Sequence, residues 1–359
     1  MMKPKILFLI PYPLGVAPSQ RFRFEQYFEI LKESGFEFDS HSFVDEKTWE
    51  VLYLKGYLMK KTIGILQGFL RRFYLLFFLK KYHFVFIHRE AAPLFPPIFE
   101  FLIANVFQKK IIYDFDDAIW LPNTSKQNRM ATFLKFSKKV KYVCRWAYKI
   151  SAGNDYLCAY ARQFNPNVVL NPTTIDMNHH KKQENQEVRI DDKIVIGWTG
   201  SHSTLRYLQE IERVIKEIEQ NYPITFLVIA NQKPEIQVDS LVFVPWKKES
   251  EVVDLLKIHI GIMPLTDDEW AKGKCGFKAL QYMSLGIPTL ASPVGVNTKI
   301  IQDGKNGFLC DRAEVWREKI ILLIENENLR IELGKNARRT VEKYYSVQAN
   351  KENFLNLFS

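Results

Sequence analysis

The chain has 359 residues, 47% of them apolar and 25% charged, so it is long enough for two domains with separate cores and too apolar to be disordered. The formal charge of +10 lies wholly in the first 180 residues, with 25 Lys and Arg against 15 Asp and Glu; the remainder balances at 25 against 25. Cys144, Cys158, Cys275 and Cys310 make no C-x-x-C pair, which argues against a disulfide framework or a zinc site and for reduced thiols in a cytoplasmic protein. The lopsided basic half predicts an anionic partner: a membrane leaflet, a lipid phosphate or a nucleic acid.

The run from Ile6 to Ile10, stopped by Pro11 and Pro13, is too short for a signal-peptide core and predicts a first buried strand. RFRFEQYFEILKESG then predicts a helix with Phe24, Phe28 and Leu31 inward. Arg21 and Arg23 fall in its first turn, an unfavourable place for cations. Either they are solvated, or they reach across the mouth of the expected cleft to a phosphate or acidic sugar.

From Val51 to His88 there is no acidic residue, while Lys55, Lys60, Lys61, Arg71, Arg72, Lys80 and Lys81 alternate with apolar groups. Arg71 and Arg72 interrupt the longest apolar run, so a spanning helix of about 20 residues is not available. The segment reads equally as an interfacial helix or as a core helix with its cations on the wet side, followed by the buried strand FVFIH. A second acid-free stretch, Ala118 to Asn154, carries eight cations with Phe133, Phe136, Tyr142 and Trp146, and strengthens the expectation of a binding face.

KKIIYDFDDAIW predicts a buried strand ending in Asp114, Asp116 and Asp117. Carboxylates so close raise one another's pKa, an active-site device, although an Asp after a strand equally caps the next helix. Residues 149 to 176 read as strand, helix and strand. The polar segment 179–193 then predicts a linker, with His179 and His180 solvated.

IVIGWTGSHSTLRYLQEIERVIKEIEQ opens the second half: a strand runs into Gly197, Thr199, Gly200 and Ser201, then an N-cap at Ser203 or Thr204 and a helix with Leu205, Leu208, Ile211, Ile215 and Ile218 inward. Such a loop either cradles a diphosphate with backbone N–H groups or is plain packing. ITFLVIA and LVFVPW predict further strands, and KESEVVDLLK a helix. From His259 to Cys310 the pattern is strand, polar loop, and a helix with Phe277, Leu280 and Met283 on one face, closed by Gly286 and Pro288 before the strand IPTLAS. Lys272, Lys274 and Lys278 near that helix start predict an anion, and Lys278 shares a helix face with Gln281. The tail from Ala313 is helical.

The stretch KALQYMSLGIPTLASPVGVN, the turn IIQDGKNGFL and the strand end MPL resemble the C-terminal half of glycosyltransferase family 4, retaining nucleotide-sugar transferases of the GT-B fold. The resemblance implies an α/β chain of two Rossmann-like doubly wound domains facing across a cleft. It implies an acceptor-binding domain 1–178, a linker 179–193, a nucleotide-sugar domain 194–340, and a final helix, 341–359, crossing back to the first domain. Donor-binding residues would be Gly197, Thr199, Gly200, Ser201, Thr204, Trp246 at the base, Lys274, Lys278 and Gln281, with Gly15, Arg21 and Arg23 toward the acceptor. The family's two glutamates fall at Gly273 and Gln281, so Asp267, Asp268 or Glu269 would substitute for the first. Many members carry an Arg and a Lys near the glycine loop; only His202 and Arg206 stand there, which shifts the phosphate charge to Lys274 and Lys278. Asp116 and Asp117 stand where the family has a His-Asp pair, which makes them catalytic candidates.

The resemblance implies no metal and no cofactor beyond the nucleotide-sugar substrate. Together with the basic first half, it predicts sugar transfer to a lipid-linked or polysaccharide acceptor by a cytoplasmic protein peripheral on the inner face of the cell membrane. An epimerase on the same scaffold and a non-catalytic sugar-nucleotide binder are the alternatives. A nucleic-acid module is disfavoured by the neutral second half and the lack of a recognised motif.

Overall fold

The computed structural model describes residues 4–54, 56–121, 136–181 and 193–359. Lys55, Phe133 and most of the expected linker lie outside the described residues. The chain divides into two compact units, Met1–Thr173 with Lys351–Ser359, and Thr174–Asn350.

The first unit is built on a parallel sheet of β1 (Lys5–Ile10), β2 (Glu37–Ser42), β3 (Phe84–His88), β4 (Lys110–Phe115), β5 (Lys149–Ala152) and β6 (Val168–Leu170), in the order β2-β1-β3-β4-β5-β6. Strands covered on both faces read as continuous apolar runs, as β1 and β3 do. Strand order reverses between β1 and β3, which places the loops after them at a topological switch point. The segment Lys351–Ser359 completes this unit: Phe354 stacks on Tyr27 at 4.2 Å, Phe358 packs on Phe84 and Phe86, and Lys149 donates to the Asn356 carbonyl at 2.6 Å. Residues 341–350 stay with the second unit, where Ser346 bridges to Ile175.

The single helix expected after β1 is instead three short pieces, Pro18–Arg21, the 3-10 turn Glu25–Tyr27, and Phe28–Glu33. Buried Gln20 bonds Tyr12 and Pro13, and Arg23 turns inward, so the chain bends between them. Arg23 therefore does not reach toward an acceptor. It is 1% exposed, and its guanidinium is bonded to Asp114, the Asn171 carbonyl and the Ser151 hydroxyl. His88 Nδ1 lies 2.7 Å from Asp114, and the Ser151 hydroxyl donates to the same carboxylate at 2.5 Å. Burial opposes ionisation of Asp114, yet Arg23 and His88 hold it well below the ordinary carboxylate range, the reverse of the expected mutual elevation.

The second unit carries β7 (Ile194–Gly200), β8 (Ile224–Ala230), β9 (Leu241–Pro245), β10 (Ile260–Met263), β11 (Thr289–Ala291) and β12 (Phe308–Leu309), all parallel, in the order β12-β11-β10-β7-β8-β9. Here the switch point falls between β7 and β10. The helix Gln209–Glu219 buries Ile211, Val214, Ile215 and Ile218 against the sheet. Its approach is a 3-10 turn, His202–Leu208, capped by Ser201 with Thr204 completing a reciprocal pair, one turn earlier than the sequence places the cap. His180, expected to be solvated, is 3% exposed. All four cysteines are buried.

Asp114→Asn leaves Arg23 buried without its counter-charge and should destabilise the first unit by about 3–5 kcal/mol in urea unfolding. Acid should act on the same unit. Asp39 is partly desolvated but lowered to about 2 by Tyr82, Lys5 and Lys81, and Asp114 is also depressed. Groups with depressed folded pKa stabilise above their unfolded value, so stability should be full above about pH 4 and fall progressively below it. A thermal-melt series against pH, with Asp114→Asn showing a shallower acid loss, checks this.

Candidate functional site

At the end of β7, a Cβ on Gly200 would lie 2.4 Å from the Trp198 ring and 2.8 Å from Thr204, so only glycine lets the strand pass over that indole. The Lys278 ammonium lies 5.2 Å from the centroid of the same ring. The glycine turn and the helix lysine therefore meet at one place in the second unit. Tyr282, one helical turn beyond Lys278, accepts the Thr199 N–H at 2.8 Å and fixes the helix Phe277–Ser284 to the strand.

Several turn residues serve the fold. Gly197 lies within β7, where a Cβ would strike Ile258 at 2.3 Å, so it is a packing glycine and not part of a phosphate cradle. Thr199 gives its N–H to Tyr282 and its hydroxyl to the Ile229 carbonyl. The Ser201 N–H goes to the Thr204 hydroxyl and the His202 N–H to Asn231. The amide cradle expected from this loop is thus largely spent on internal bonds.

The helix Phe277–Ser284 offers what the loop does not. Gly276 stands at its N-cap with φ 69°. The start of a helix is the positive end of its dipole, which suits an anion. Lys274 lies just before it, 5.0 Å from the Trp270 ring. Gln281 is 2% exposed, and its Nε2 has no hydrogen-bond partner. A buried unsatisfied amide costs about 1–3 kcal/mol, which a ligand acceptor would recover.

The loop after β10 carries the expected acidic substitutes. Asp268 caps the short helix Glu269–Lys272 by accepting from Ala271 at 2.7 Å, with the Thr266 hydroxyl at 2.8 Å. Partial burial opposes its ionisation, but these bonds and the charge of Arg206 lower its pKa, which joins this loop to the His202–Leu208 turn. Glu269 and Asp267 are exposed around Lys272, at 2.9 Å and 3.7 Å. Trp246 is half-buried against the core cluster that includes Val195, Leu227 and Ile258, with its indole N–H given to Glu251 at 3.2 Å, so it fills the core. A depression lined by Lys233, Ile236, Val238 and Phe243 lies along the β8–β9 loop and the edge strand β9, away from the switch point between β7 and β10.

In the first unit, Asp116 and Asp117 do not confront each other alone. Arg89, after β3, bonds both at 2.8 Å. Its backbone has φ 60°, a left-handed conformation unusual for a side chain of that size. Gly15 has φ 79° and donates its N–H to Glu25 at 2.8 Å, while Arg21 is half-buried with its guanidinium over Phe22 at 5.0 Å. Arg89, Trp198 and Tyr282 escaped sequence reasoning; the signal for Arg89 was its place directly after the FVFIH strand, in register with β4.

Residues 181–340 match the family model described as glycosyl transferases group 1. Over nearly its whole length the chain superposes on solved structures: sucrose-phosphate synthase from Thermosynechococcus elongatus (TM-score 0.68, 14% identity, 99% of this chain and 98% of that one), and the Anabaena protein HepE in complex with UDP and glucose (0.66, 12%, 98% of both). The fold is GT-B. Among curated proteins, the capsular polysaccharide biosynthesis glycosyltransferase CapM of Staphylococcus aureus is 23% identical over 186 residues, 48% of this chain and 47% of that protein. N-acetyl-alpha-D-glucosaminyl L-malate synthase of Bacillus anthracis is 27% identical over 100 residues, 27% and 25%. The chain thus spans about half or less of the curated relatives it matches.

Replacing Gln281 by Met removes the unpaired amide at similar volume. It should raise stability by about 1 kcal/mol while weakening nucleotide binding. Paired urea unfolding and calorimetric titration with UDP and GDP separate these opposed effects; loss of stability with intact binding would assign Gln281 to the core.

Proposed function

We propose that the protein is a glycosyltransferase of the family 4 type, moving a sugar, with retention of configuration, from a nucleoside-diphosphate donor to a lipid-linked or polysaccharide acceptor. The observation that carries this reading is Lys278 over Trp198 beside Gly200, at a helix start on the switch point of the unit that matches the group 1 model. The names of HepE's ligands and of CapM support a UDP-sugar donor and a polysaccharide acceptor.

In this reading, cleavage of the sugar–phosphate bond builds charge on the departing diphosphate, and Lys274, Lys278 and the helix N-terminus stabilise it more strongly in the transition state than in the bound donor. The reading requires no metal or further cofactor. The Gln281 amide donates to a ribose hydroxyl. Asp116 and Asp117, held by Arg89, are the proposed acceptor-orienting carboxylates. Glu269 is the proposed substitute at the donor sugar. The Gly273 at the position of the family's first glutamate favours one second reading, a binder that holds the sugar nucleotide without transfer.

A panel of UDP- and GDP-sugars, read first by thermal shift and then by nucleoside-diphosphate release in the presence of lipid extract, tests both readings. Transfer by the native chain, reduced about 100- to 1,000-fold in Lys278→Ala at unchanged melting temperature, is the expected result. Stabilisation without release establishes the binder, and full turnover in the variant refutes the phosphate assignment.

A further inference from the structure

The helix Leu58–Leu76 is amphipathic in the inverted sense. At 100° per residue, Met59, Ile63, Leu66, Leu70, Phe73 and Phe77 fall within an arc of about 80°. All six are exposed, Leu70 at 68% and Phe77 at 81%. The opposite face holds Gly64, Gly68 and Arg72, all buried. A Cβ on Gly64 would strike Thr48 at 2.1 Å and one on Gly68 the Phe43 carbonyl at 2.7 Å, so the inner face is packed to the backbone. Arg72 spends its guanidinium inside, donating to the carbonyls of Ala91, Ile10 and His41 at 2.8, 2.9 and 3.1 Å. Of the two sequence readings, the core helix with cations outward is therefore corrected: a charge points in and the large apolar groups point out.

The apolar face does not end with the helix. Phe69 and Phe73 touch Phe95 and Phe99, and beyond them Phe95, Ile98 and Phe101 are exposed. A contiguous apolar surface of this kind marks an interaction site. Its charge selects the partner. Residues 51–113 contain ten Lys and Arg and two acids. Neither acid is exposed: Glu90 is bound to Lys139 at 2.5 Å, and Glu100 is buried on the Ala91 N–H. Lys60 and Lys80 bracket the stripe and are exposed.

We infer that this face docks the protein onto an anionic lipid surface, with the helix lying in the plane of the membrane. A helix of 19 residues is about 28 Å long, and its stripe would enter the headgroup boundary by about 5–10 Å while the lysines meet lipid phosphates. Among the described residues no helix is long and apolar enough to cross a membrane. A second copy of the chain fits less well, because a symmetric pairing would set one acid-free surface against another. The inference deepens the lipid-linked-acceptor reading: it brings the acceptor-side unit to the bilayer that would hold such an acceptor.

Co-sedimentation of the full chain with phosphatidylcholine vesicles, with and without phosphatidylglycerol, tests it. The native chain should bind the anionic vesicles, weakly at high salt, and bind neutral vesicles poorly. The variant L66Q/L70Q/F73Q/F77Q should lose binding about tenfold or more, with circular dichroism and the UDP-induced thermal shift unchanged. Should that variant fold poorly, K60E/K80E carries the test, losing binding to the anionic vesicles alone. Anionic-vesicle binding that is absent, or unaltered in the variants, overturns the inference. So does self-association in sedimentation velocity that the glutamine variant abolishes. Vesicle binding without any nucleotide effect would instead sink the transferase reading and leave the docking surface standing.

Discussion

The buried hydrogen bond from the Thr199 N–H to the Tyr282 hydroxyl sets the geometry of the candidate site. It ties the last turn of the helix Phe277–Ser284 to the end of β7, and Gly261 makes room for it, because a Cβ there would lie 2.5 Å from the Tyr282 ring. Lys278 is one turn from Tyr282 on the same helix face, so its position over Trp198 follows from that anchor. Glycine at three positions along these strands does three jobs: Gly197 admits Ile258, Gly261 admits Tyr282, and Gly200 clears the indole. Only the last stands at the loop where a ligand would come.

The first unit handles charge differently. Arg23, Asp114, His88 and Ser151 close a polar network inside a largely apolar core. Such a network is expensive to break and adds little beyond a good apolar core, so its value lies in fixing where β4 and β5 end. Above it, Arg89 holds Asp116 and Asp117 at the surface of the same strand ends. One carboxylate is consumed by structure and two are presented.

How much of this was legible in the sequence depended on the range of the interaction. Continuous apolar runs announced β1, β3, β7 and β8 because parallel strands are buried on both faces. The strand, loop and helix around Lys278 followed from local periodicity and from Gly286 with Pro288. What periodicity could not supply was orientation. In Leu58–Leu76 the spacing reveals two faces, but the inward one is decided by Thr48 and Phe43, whose close approach admits only Gly64 and Gly68. Arg23 and Arg21 looked alike in sequence; the partner that separates them, Asp114, is 91 residues away. Arg89 was missed for the same reason, since its pairing with Asp116 and Asp117 arises from the register of β3 against β4.

The return of Lys351–Ser359 to the first unit bears on how the molecule is made. The ring of Phe358 lies against Phe8 and Phe86, and Phe354 covers Tyr27, so the opening sheet keeps an uncovered aromatic layer until residues 351–359 have left the ribosome. Synthesis normally lets the first domain settle first. In this chain the later-made half is the one able to finish early, and the earlier-made half must wait, its phenylalanines exposed to whatever chaperone or lipid stands near the nascent polypeptide.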